Sequence, residues 1–296
     1  MQNGYFSPYG NPKLEDGKAG EFLTNRLTKE ATQFINQNKS KPFFLNLWFY
    51  AVHTPLQAEK DKINKYEAKL NQSNQHKNPT YAAMIEHMDD AVGKIMQTLK
   101  ELNLDKNTII VFTSDNGGLI GNHPRFKEKV TSNYPLKSGK GDMYEGGVRV
   151  PTIIYYPSKI KSKVINTPIT SIDYLPTLLD LTNINIVDKS QFDGISLENL
   201  ITKNKPIKER PMFWHYPHYH TEGAVPYSAV RFKNFKLIHN LENDSIELYN
   251  LENDVAEKFN IAFENEKLSN QLFEMLQKWK ITVNAQDPLK NLSFKK

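Results

Sequence analysis

The sequence contains no cysteine, which excludes disulfide bonds and thiolate metal sites but leaves the cellular compartment open. It also lacks an apolar run near the roughly 20 residues of a membrane-spanning helix, so no membrane partner is expected. Residues 1–20 lack the apolar centre of a secretory signal. They read as a loop rich in glycine, proline and asparagine, and we therefore expect an upstream portion to precede them.

The charge pattern gives no sign of a nucleic-acid partner. The net charge is +5 over 296 residues, but the lysines and arginines are scattered, with no dense basic block. A lysine-rich solvated surface explains this charge as well as attraction of an anionic ligand does. With 39% hydrophobic and 24% charged residues, the composition predicts a globular protein of one or two domains.

Residues 108–113 are apolar and largely β-branched, which predicts a strand buried on both faces of a parallel sheet. Asp115 and Asn116 follow closely and precede two glycines. Ligands bind beyond the carboxyl ends of such strands, and carboxylate and amide oxygens suit calcium or magnesium. The pair is a candidate metal site, although Asp-Asn-Gly is also a common turn.

A second strand is predicted at residues 43–50, FFLNLWFY, and His53 follows its carboxyl end. A helix that starts after Asn78 would connect this strand to residues 108–113 as a βαβ crossover. His53 would then lie at the same sheet edge as Asp115. A histidine that only binds a carbonyl is the plainer alternative.

Lys140 lies between two glycines, where its ammonium can reach a cavity, although a solvated turn residue fits equally. Arg149 is expected to pair with Glu145. Together, an oxygen metal site, a histidine and a lysine would form a pocket for a tetrahedral oxyanion, in which the histidine protonates a leaving alkoxide.

Beyond Arg210 the pattern changes to four short strand-like segments, 212–216, 228–231, 235–239 and 246–249, followed by an amphipathic helix. We therefore place domains at 1–207 and 208–296. The histidines His215, His218 and His220 lie in a run with aromatic residues. The histidines can bind a transition metal. Alternatively, positions 214, 216 and 218 form one face of a strand, or the run borders a sugar-binding site.

Three blocks, TSDNGG, SNYPLKSGKG and YEGGVRVP, resemble the later part of the type I sulfatases of the alkaline-phosphatase-like superfamily. The resemblance implies an incomplete α/β domain, a mostly parallel sheet between helices, followed by a small antiparallel sheet and helix. It implies that Asp115 and Asn116 bind calcium, with magnesium possible, that Lys140 and His53 are catalytic, and that the histidine run borders the substrate. The implied substrate is a sulfated carbohydrate or aryl sulfate ester, and the implied location is the periplasm or outside the cell.

The sequence also departs from that family. Sulfatases use a formylglycine made within a C/S-x-P-S/A-R motif, and no such motif occurs here. We expect it, with further metal-binding aspartates, in an amino-terminal segment outside this chain, and we expect the chain to be inactive alone. The alternatives are a phosphoesterase or phosphonate hydrolase of the same superfamily, and a non-catalytic fragment with a carbohydrate-binding rim.

Overall fold

The computed structural model describes residues 4–71, 76–121, 129–185, 188, 190–289, 291 and 293. They form two compact units, which we call unit 1 (residues 1–111 and 119–132) and unit 2 (residues 112–118 and 133–296). The division at residues 207 and 208 drawn from the sequence is a different one, and it stays a prediction. The polar stretch 119–134 lacks helical or strand periodicity, which predicts a loop, and its residues 122–128 lie outside the described residues.

Unit 1 is built from helices α1 (Leu23–Asn38), α2 (Lys60–Glu67) and α3 (Pro79–Glu101). The start of α3 is as predicted. The side chain of Asn78 accepts a hydrogen bond of 3.0 Å from the backbone N–H of Tyr81, and proline occupies the first helical position.

The core of unit 1 contains residues that the sequence did not single out. Tyr5 and Tyr9 are fully buried and pack with Phe22, Ala83 and Met84, although both tyrosines lie in the predicted loop. The Tyr5 ring stacks on Phe22 with centroids 5.6 Å apart. The amino-terminal segment is therefore irregular in backbone but part of the core.

The predicted strand at residues 43–50 is not formed. Neither strand nor helix is assigned there, and no described residue supplies a backbone hydrogen-bond partner to residues 43–49. Trp48 is 80% exposed and Phe44 is 77% exposed. A strand requires a neighbour for its N–H and C=O groups, so the predicted βαβ crossover is also wrong for the described chain.

Unit 2 contains a two-stranded sheet of β1 (Ile110–Thr113), whose last two residues belong to this unit, and β2 (Thr152–Tyr155). β1 is only half-buried and Thr113 is exposed, so the expectation of burial on both faces is wrong. Three short helices accompany this sheet: α4 (Glu145–Val148), α5 (Tyr174–Leu181) and α6 (Glu198–Lys203).

The four predicted strands after Arg210 are confirmed. They are β3 (Met212–Tyr216), β4 (Tyr227–Phe232), β5 (Phe235–Asn240) and β6 (Ile246–Asn250), antiparallel and adjacent in chain order. Helix α7 (Glu266–Thr282) packs its predicted apolar face on one side of this sheet, where Trp279 stacks on Phe213.

The opposite side of the sheet covers the segment that contains α4. Met143 and Tyr144 pack there against Tyr227, Ala229 and Ile238. The mixed α/β class and the carboxyl-terminal sheet with its helix are thus confirmed. Within the part of the chain that the structure describes, no helix combines the length and apolar composition needed to cross a bilayer.

An ion-pair network joins α2 to α3 and generates the first prediction. Lys62 Nζ lies 2.7 Å from Glu86 Oε1, and Lys65 Nζ lies 2.8 Å from Glu86 Oε2. Hydrogen bonds from Lys62 and then Lys65 lower the pKa of Glu86 to about 2. Because this folded-state pKa lies below the ordinary value, the stabilisation is present at neutral pH and is lost as the pH falls below about 4.5 toward 2.

We expect Glu86→Gln to lower the free energy of unfolding by about 1 kcal/mol at pH 7. It should also flatten the dependence of stability on pH between about pH 5 and pH 2. Urea denaturation across that range measures both effects, and exposed Glu67→Gln is the matched control. Equal pH dependence in the wild type and in Glu86→Gln would contradict this account.

Candidate functional site

Three glycine-containing turns of unit 2 are joined by backbone hydrogen bonds, and we call residues 114–118, 137–141 and 144–148 the glycine-turn cluster. The N–H of Gly117 donates to Gly147 O at 2.9 Å, and the N–H of Lys140 donates to Gly118 O at 3.1 Å. The N–H of Gly146 donates to Lys137 O at 2.8 Å. The predicted metal pair and the predicted catalytic lysine therefore belong to one bonded assembly.

Close backbone approach explains why glycine is needed in the cluster. A Cβ on Gly117 would lie 1.7 Å from Gly146 O, and a Cβ on Gly146 would lie 2.1 Å from Ser138 O. Both obstacles are backbone atoms, which cannot swing aside like a flexible side chain. A side chain at either position would push the turns apart.

Asp115 and Asn116 are oriented by local hydrogen bonds. Asp115 Oδ1 accepts from the N–H of Asn116 at 2.9 Å, and Ser114 Oγ donates to Asn116 O at 2.9 Å. Asn116 Nδ2 donates to Gly117 O at 2.9 Å, which leaves its Oδ1 as an acceptor. The pair offers hard oxygen atoms on an exposed aspartate and a half-buried asparagine.

These donors suit part of the shell of a hard cation, because calcium takes about six to eight oxygens. Among the described residues, no group of three or more histidine, aspartate or glutamate side chains is arranged to hold a metal. Asp115 and Asn116 therefore fit a calcium or magnesium ion as two ligands of a set that other groups would complete.

The side chain of Lys140 is available for a ligand. Its backbone is fixed by the bond to Gly118, but its ammonium has no hydrogen bond or ion pair to any described residue. Lys137, three residues earlier, differs. Its Nζ lies 3.6 Å from the centre of the Tyr144 ring and 3.3 Å from the hydroxyl of Tyr249, so its charge is engaged within the protein.

A buried carboxylate anchors the cluster to the carboxyl-terminal sheet. Glu145 is 1% exposed, and Lys236 Nζ on β5 lies 3.1 Å from its Oε1. Arg149 lies 3.9 Å from Glu145 Oε2, as the sequence predicted, and Arg231 lies 3.4 Å from it. No sequence pattern pointed to Lys236, because a lysine in a strand ordinarily faces solvent.

Glu257 completes this network. One of its carboxylate oxygens accepts a 2.7 Å hydrogen bond from the N–H of Glu145, and the other lies 3.0 Å from Lys236 Nζ. Burial raises the pKa of Glu257, and the ammonium of Lys236 opposes that shift. Lys236 thus lies between two buried carboxylates, so neither carboxylate is buried without an opposite charge, which would be strongly destabilising.

His53 belongs to unit 1, in the turn that follows residues 43–50. The hydroxyl of Tyr5 donates to Tyr50 O at 2.6 Å and to His53 O at 2.9 Å, which fixes this turn. His53 Nδ1 lies 2.7 Å from Thr54 O. A carbonyl only accepts, so Nδ1 carries the proton and Nε2 of the exposed ring can take or hold a second one.

The structure groups some of the predicted site residues and leaves one apart. Asp115, Asn116 and Lys140 lie in the glycine-turn cluster. His53 lies in the other unit, and its convergence with them stays a prediction.

His215 and His220 have different surroundings. His215 Nδ1 lies 2.7 Å from Ser228 Oγ and its Nε2 lies 2.9 Å from Gln286 O. Both nitrogens are occupied by the protein, which favours a structural role over the expected contact with substrate. Its neighbours in β3, Trp214 and Tyr216, pack on the face of the sheet opposite α7. Because side chains alternate along a strand, His215 lies on the α7 face, near the segment that follows α7.

His220 instead lies against the glycine-turn cluster. A Cβ on Gly141 would lie 2.2 Å from its Nδ1, so the ring occupies the space beside that glycine. Its Nδ1 accepts from the N–H of Glu222 at 3.1 Å, which leaves Nε2–H as a donor. His218 is exposed and packs edge-on against Tyr216, with centroids 5.5 Å apart. Of these two histidines, His220 borders Gly141, the residue that follows Lys140.

Comparison with known proteins shows the family to which this chain belongs. A family model described as Sulfatase matches residues 1–184, and a model for the C-terminal region of N-sulphoglucosamine sulphohydrolase matches residues 139–283. A sulfatase of Formosa agariphila is 32% identical over 93% of this chain and 53% of its own length. Human steryl-sulfatase is 35% identical over 66% of this chain and 32% of its own length.

Among solved structures, Ps i-CgsB in complex with k-i-k-neocarrahexaose superposes with a TM-score of 0.76 and 31% identity. The match covers 90% of this chain and 56% of that one. The class is thus the mixed α/β fold of the alkaline-phosphatase-like proteins. Within that class the chain belongs to the sulfatase family, and it spans about half the length of the Formosa relative.

The contact between Gly141 and His220 generates a prediction. Gly141 has φ +90° and Gly223 has φ +100°, but only Gly141 has a neighbour where a Cβ would lie. We expect Gly223→Ala to lower the free energy of unfolding by about 1 kcal/mol through backbone strain. Gly141→Ala should cost about 2 kcal/mol more, because the histidine ring must move.

Urea denaturation of both variants measures the difference, and Gly223→Ala is the control for strain alone. Adding His220→Ala to Gly141→Ala should recover most of the extra loss. Equal costs for the two alanine substitutions would show that the ring does not lie against Gly141.

Proposed function

We propose that this chain forms the carboxyl-terminal part of a sulfatase, a sulfuric ester hydrolase. The observation that carries the proposal is the glycine-turn cluster. It holds an ammonium without a described partner, on Lys140, in the same hydrogen-bonded assembly as the oxygens of Asp115 and Asn116. A cationic group beside hard oxygen ligands suits binding of a tetrahedral oxyanion.

Asp115 and Asn116 would hold a divalent cation, calcium by family habit and otherwise magnesium. When bound, such a cation neutralises negative charge on the oxygens of the sulfate group. The two side chains supply too few ligands alone, so the remaining ones would come from a portion of a sulfatase outside this chain. This incomplete set supports the expectation that the chain alone binds calcium weakly.

Lys140 would bind the sulfate group and the leaving oxygen through its ammonium. The tight turn fixes its backbone, so little reorganisation is needed when charge develops on that oxygen. His53 would protonate the departing alkoxide from Nε2. Its Nδ1–H bond to Thr54 O orients the ring and leaves Nε2 to carry the transferred proton.

The nucleophile would come from outside the chain. A formylglycine in an amino-terminal segment supplies a hydrated aldehyde for attack on sulfur, by family resemblance, and no residue of this chain fits that role. The chain by itself should therefore not hydrolyse sulfate esters.

A sulfated carbohydrate is the substrate we propose, with an aryl sulfate as the other ester class. The Nε2–H of His220 and the ring of Tyr216, whose centroids lie 6.2 Å apart, border the cluster near Lys140. Imidazoles bond to sugar hydroxyls and aromatic rings pack on sugar faces. Ps i-CgsB, which binds k-i-k-neocarrahexaose, supports this choice. We also propose location in the periplasm or outside the cell, by family resemblance.

The role of Lys140 is tested in the sulfatase that carries this chain together with its amino-terminal portion. Lys140→Ala should lower kcat/KM on sulfate esters by about 100-fold to 1,000-fold, because charge on the leaving oxygen loses its partner. Exposed Lys161→Ala is the matched control and should leave activity unchanged. Activity retained in Lys140→Ala would refute the assigned role, and a preference for phosphate monoesters would refute the sulfatase assignment.

The metal role is tested in the same protein by chelation and calcium titration. EDTA should abolish activity and calcium should restore it. Asp115→Asn should raise the calcium concentration for half-maximal activity by about 10-fold or more, because a charged ligand is lost. Asp89→Asn, on an exposed position of α3, is the control. An unchanged calcium requirement in Asp115→Asn would exclude Asp115 as a ligand.

A further inference from the structure

The turn that carries His53 is held by a tyrosine from a distant part of the chain. The hydroxyl oxygen of Tyr5 lies 2.6 Å from Tyr50 O and 2.9 Å from His53 O, so its hydrogen is shared between these two carbonyls. Tyr50 O also accepts from the N–H of His53 at 2.9 Å. The backbone of His53 is therefore bonded on both sides, through its N–H to Tyr50 and through its C=O to Tyr5.

Every polar group of Tyr5 has a partner of its own. Its N–H donates to Gln57 Oε1 at 2.7 Å, and its C=O accepts from the N–H of Leu23, the first residue of α1, at 2.8 Å. The side chain is fully buried, and its ring stacks on Phe22. Burial raises the pKa of the Tyr5 phenol, so the hydroxyl stays protonated and remains a donor at neutral pH. The core of unit 1 thus holds this donor in one place.

The ring of His53 forms only local hydrogen bonds to the described residues. Its Nδ1 lies 2.7 Å from Thr54 O and 3.4 Å from Thr54 Oγ1. These contacts orient the ring within its own turn, but they do not fix the turn relative to the core. Tyr5 supplies that second constraint, because its hydroxyl links the turn to a buried ring. A general acid needs both constraints, since it must lie within hydrogen-bond reach of the leaving oxygen.

We propose that Tyr5 is a positioning residue for His53, and that its hydroxyl sets the place from which Nε2 of the imidazole protonates the departing alkoxide. This inference rests on the proposed role of His53 as general acid. In that step the Nε2–H bond breaks and an O–H bond forms on the leaving oxygen, which keeps the electron pair of its bond to sulfur. A displacement of about 1 Å can slow such a step about 100-fold. Tyr5 acts through the turn, because its own ring is buried in the core.

Displacement of a general acid affects sulfate esters according to their leaving groups. Phenolate is a stronger base than 4-nitrophenolate, so it depends more on a proton as its bond to sulfur breaks. Phenyl sulfate and 4-nitrophenyl sulfate otherwise share the same ring and the same sulfate group. A shifted His53 should therefore slow hydrolysis of phenyl sulfate much more than hydrolysis of 4-nitrophenyl sulfate. General damage to the fold would slow both reactions to the same extent.

Three variants separate the positioning role from a general effect on the core. Tyr5→Phe removes the hydroxyl and keeps the stacked ring. Tyr9→Phe is the matched control, because Tyr9 is fully buried in the same cluster and its hydroxyl bonds to Glu21 instead of the His53 turn. Gln57→Leu is a second test variant, because it removes the acceptor of the Tyr5 N–H and keeps the hydroxyl in the protein.

The kinetic experiment uses the sulfatase that carries this chain together with its amino-terminal portion. We expect Tyr5→Phe to lower kcat/KM about 10-fold on phenyl sulfate and less than about 2-fold on 4-nitrophenyl sulfate. Gln57→Leu should show the same preference, with a loss of about 3-fold on phenyl sulfate. Tyr9→Phe should keep both values within about 2-fold of the wild type. His53→Ala should lose about 100-fold on phenyl sulfate and clearly less on 4-nitrophenyl sulfate.

A second measurement uses the chain of 296 residues alone and needs no catalysis. Amide exchange at His53 reports its bond to Tyr50 O, the carbonyl to which the Tyr5 hydroxyl also donates. Tyr5→Phe should speed this exchange about 5-fold or more, because the turn loses its link to the core, and Tyr9→Phe should not.

The inference is overturned if Tyr5→Phe slows the two esters equally, if Tyr9→Phe shows the same preference between them, or if exchange at His53 is unchanged in Tyr5→Phe. His53→Ala distinguishes this failure from failure of the proposed function. If His53→Ala shows the leaving-group preference and Tyr5→Phe does not, only the positioning role of Tyr5 is wrong. If His53→Ala slows both esters equally, the general-acid role of His53 is wrong, and the inference is overturned with it.

Discussion

The buried carboxylate of Glu145 is the constraint on which the site depends. It joins a tight turn to the carboxyl-terminal sheet through Lys236, and its own N–H is held by Glu257. A buried ion pair adds little net stability, but removal of one partner leaves an unpaired charge and costs about 3–5 kcal/mol. The network therefore favours one position of the turn that carries Glu145, because any shift of that turn would separate these charges.

This constraint extends from Glu145 to Lys140, the proposed catalytic residue, through a short stretch of chain and through backbone hydrogen bonds. Four residues lie between Lys140 and Glu145, and the N–H of Gly146 donates to Lys137 O in the neighbouring turn of the cluster. The N–H of Lys140 then bonds to Gly118, next to the Asp115–Asn116 pair. The backbone of Lys140 and the turn that carries Asp115 and Asn116 are thus held together by backbone hydrogen bonds.

Local patterns predicted the parts of the fold that local forces determine. Asn78 and Pro79 marked the start of α3, and alternating and helical periods located β3 to β6 and α7. Burial of Tyr5 and the position of Lys236 were missed, because both depend on contacts with residues far along the chain. The surroundings of His215 were missed for a related reason. Its neighbours Ser228 and Gln286 come from β4 and the segment after α7.

Residues 43–50 show the limit of such patterns most clearly. Their composition favours a strand, but a strand forms only when a neighbour satisfies its backbone N–H and C=O groups, so the prediction was wrong for the described chain. Two features of the chain share one property, which is that their polar groups lack a full set of partners. In residues 43–49, around exposed Trp48, these are backbone N–H and C=O groups without a described hydrogen-bond partner. At Asp115 and Asn116 they are oxygens that form only part of a metal-binding set. If another portion of the sulfatase supplies the remaining ligands, the metal site is complete only when that portion is present.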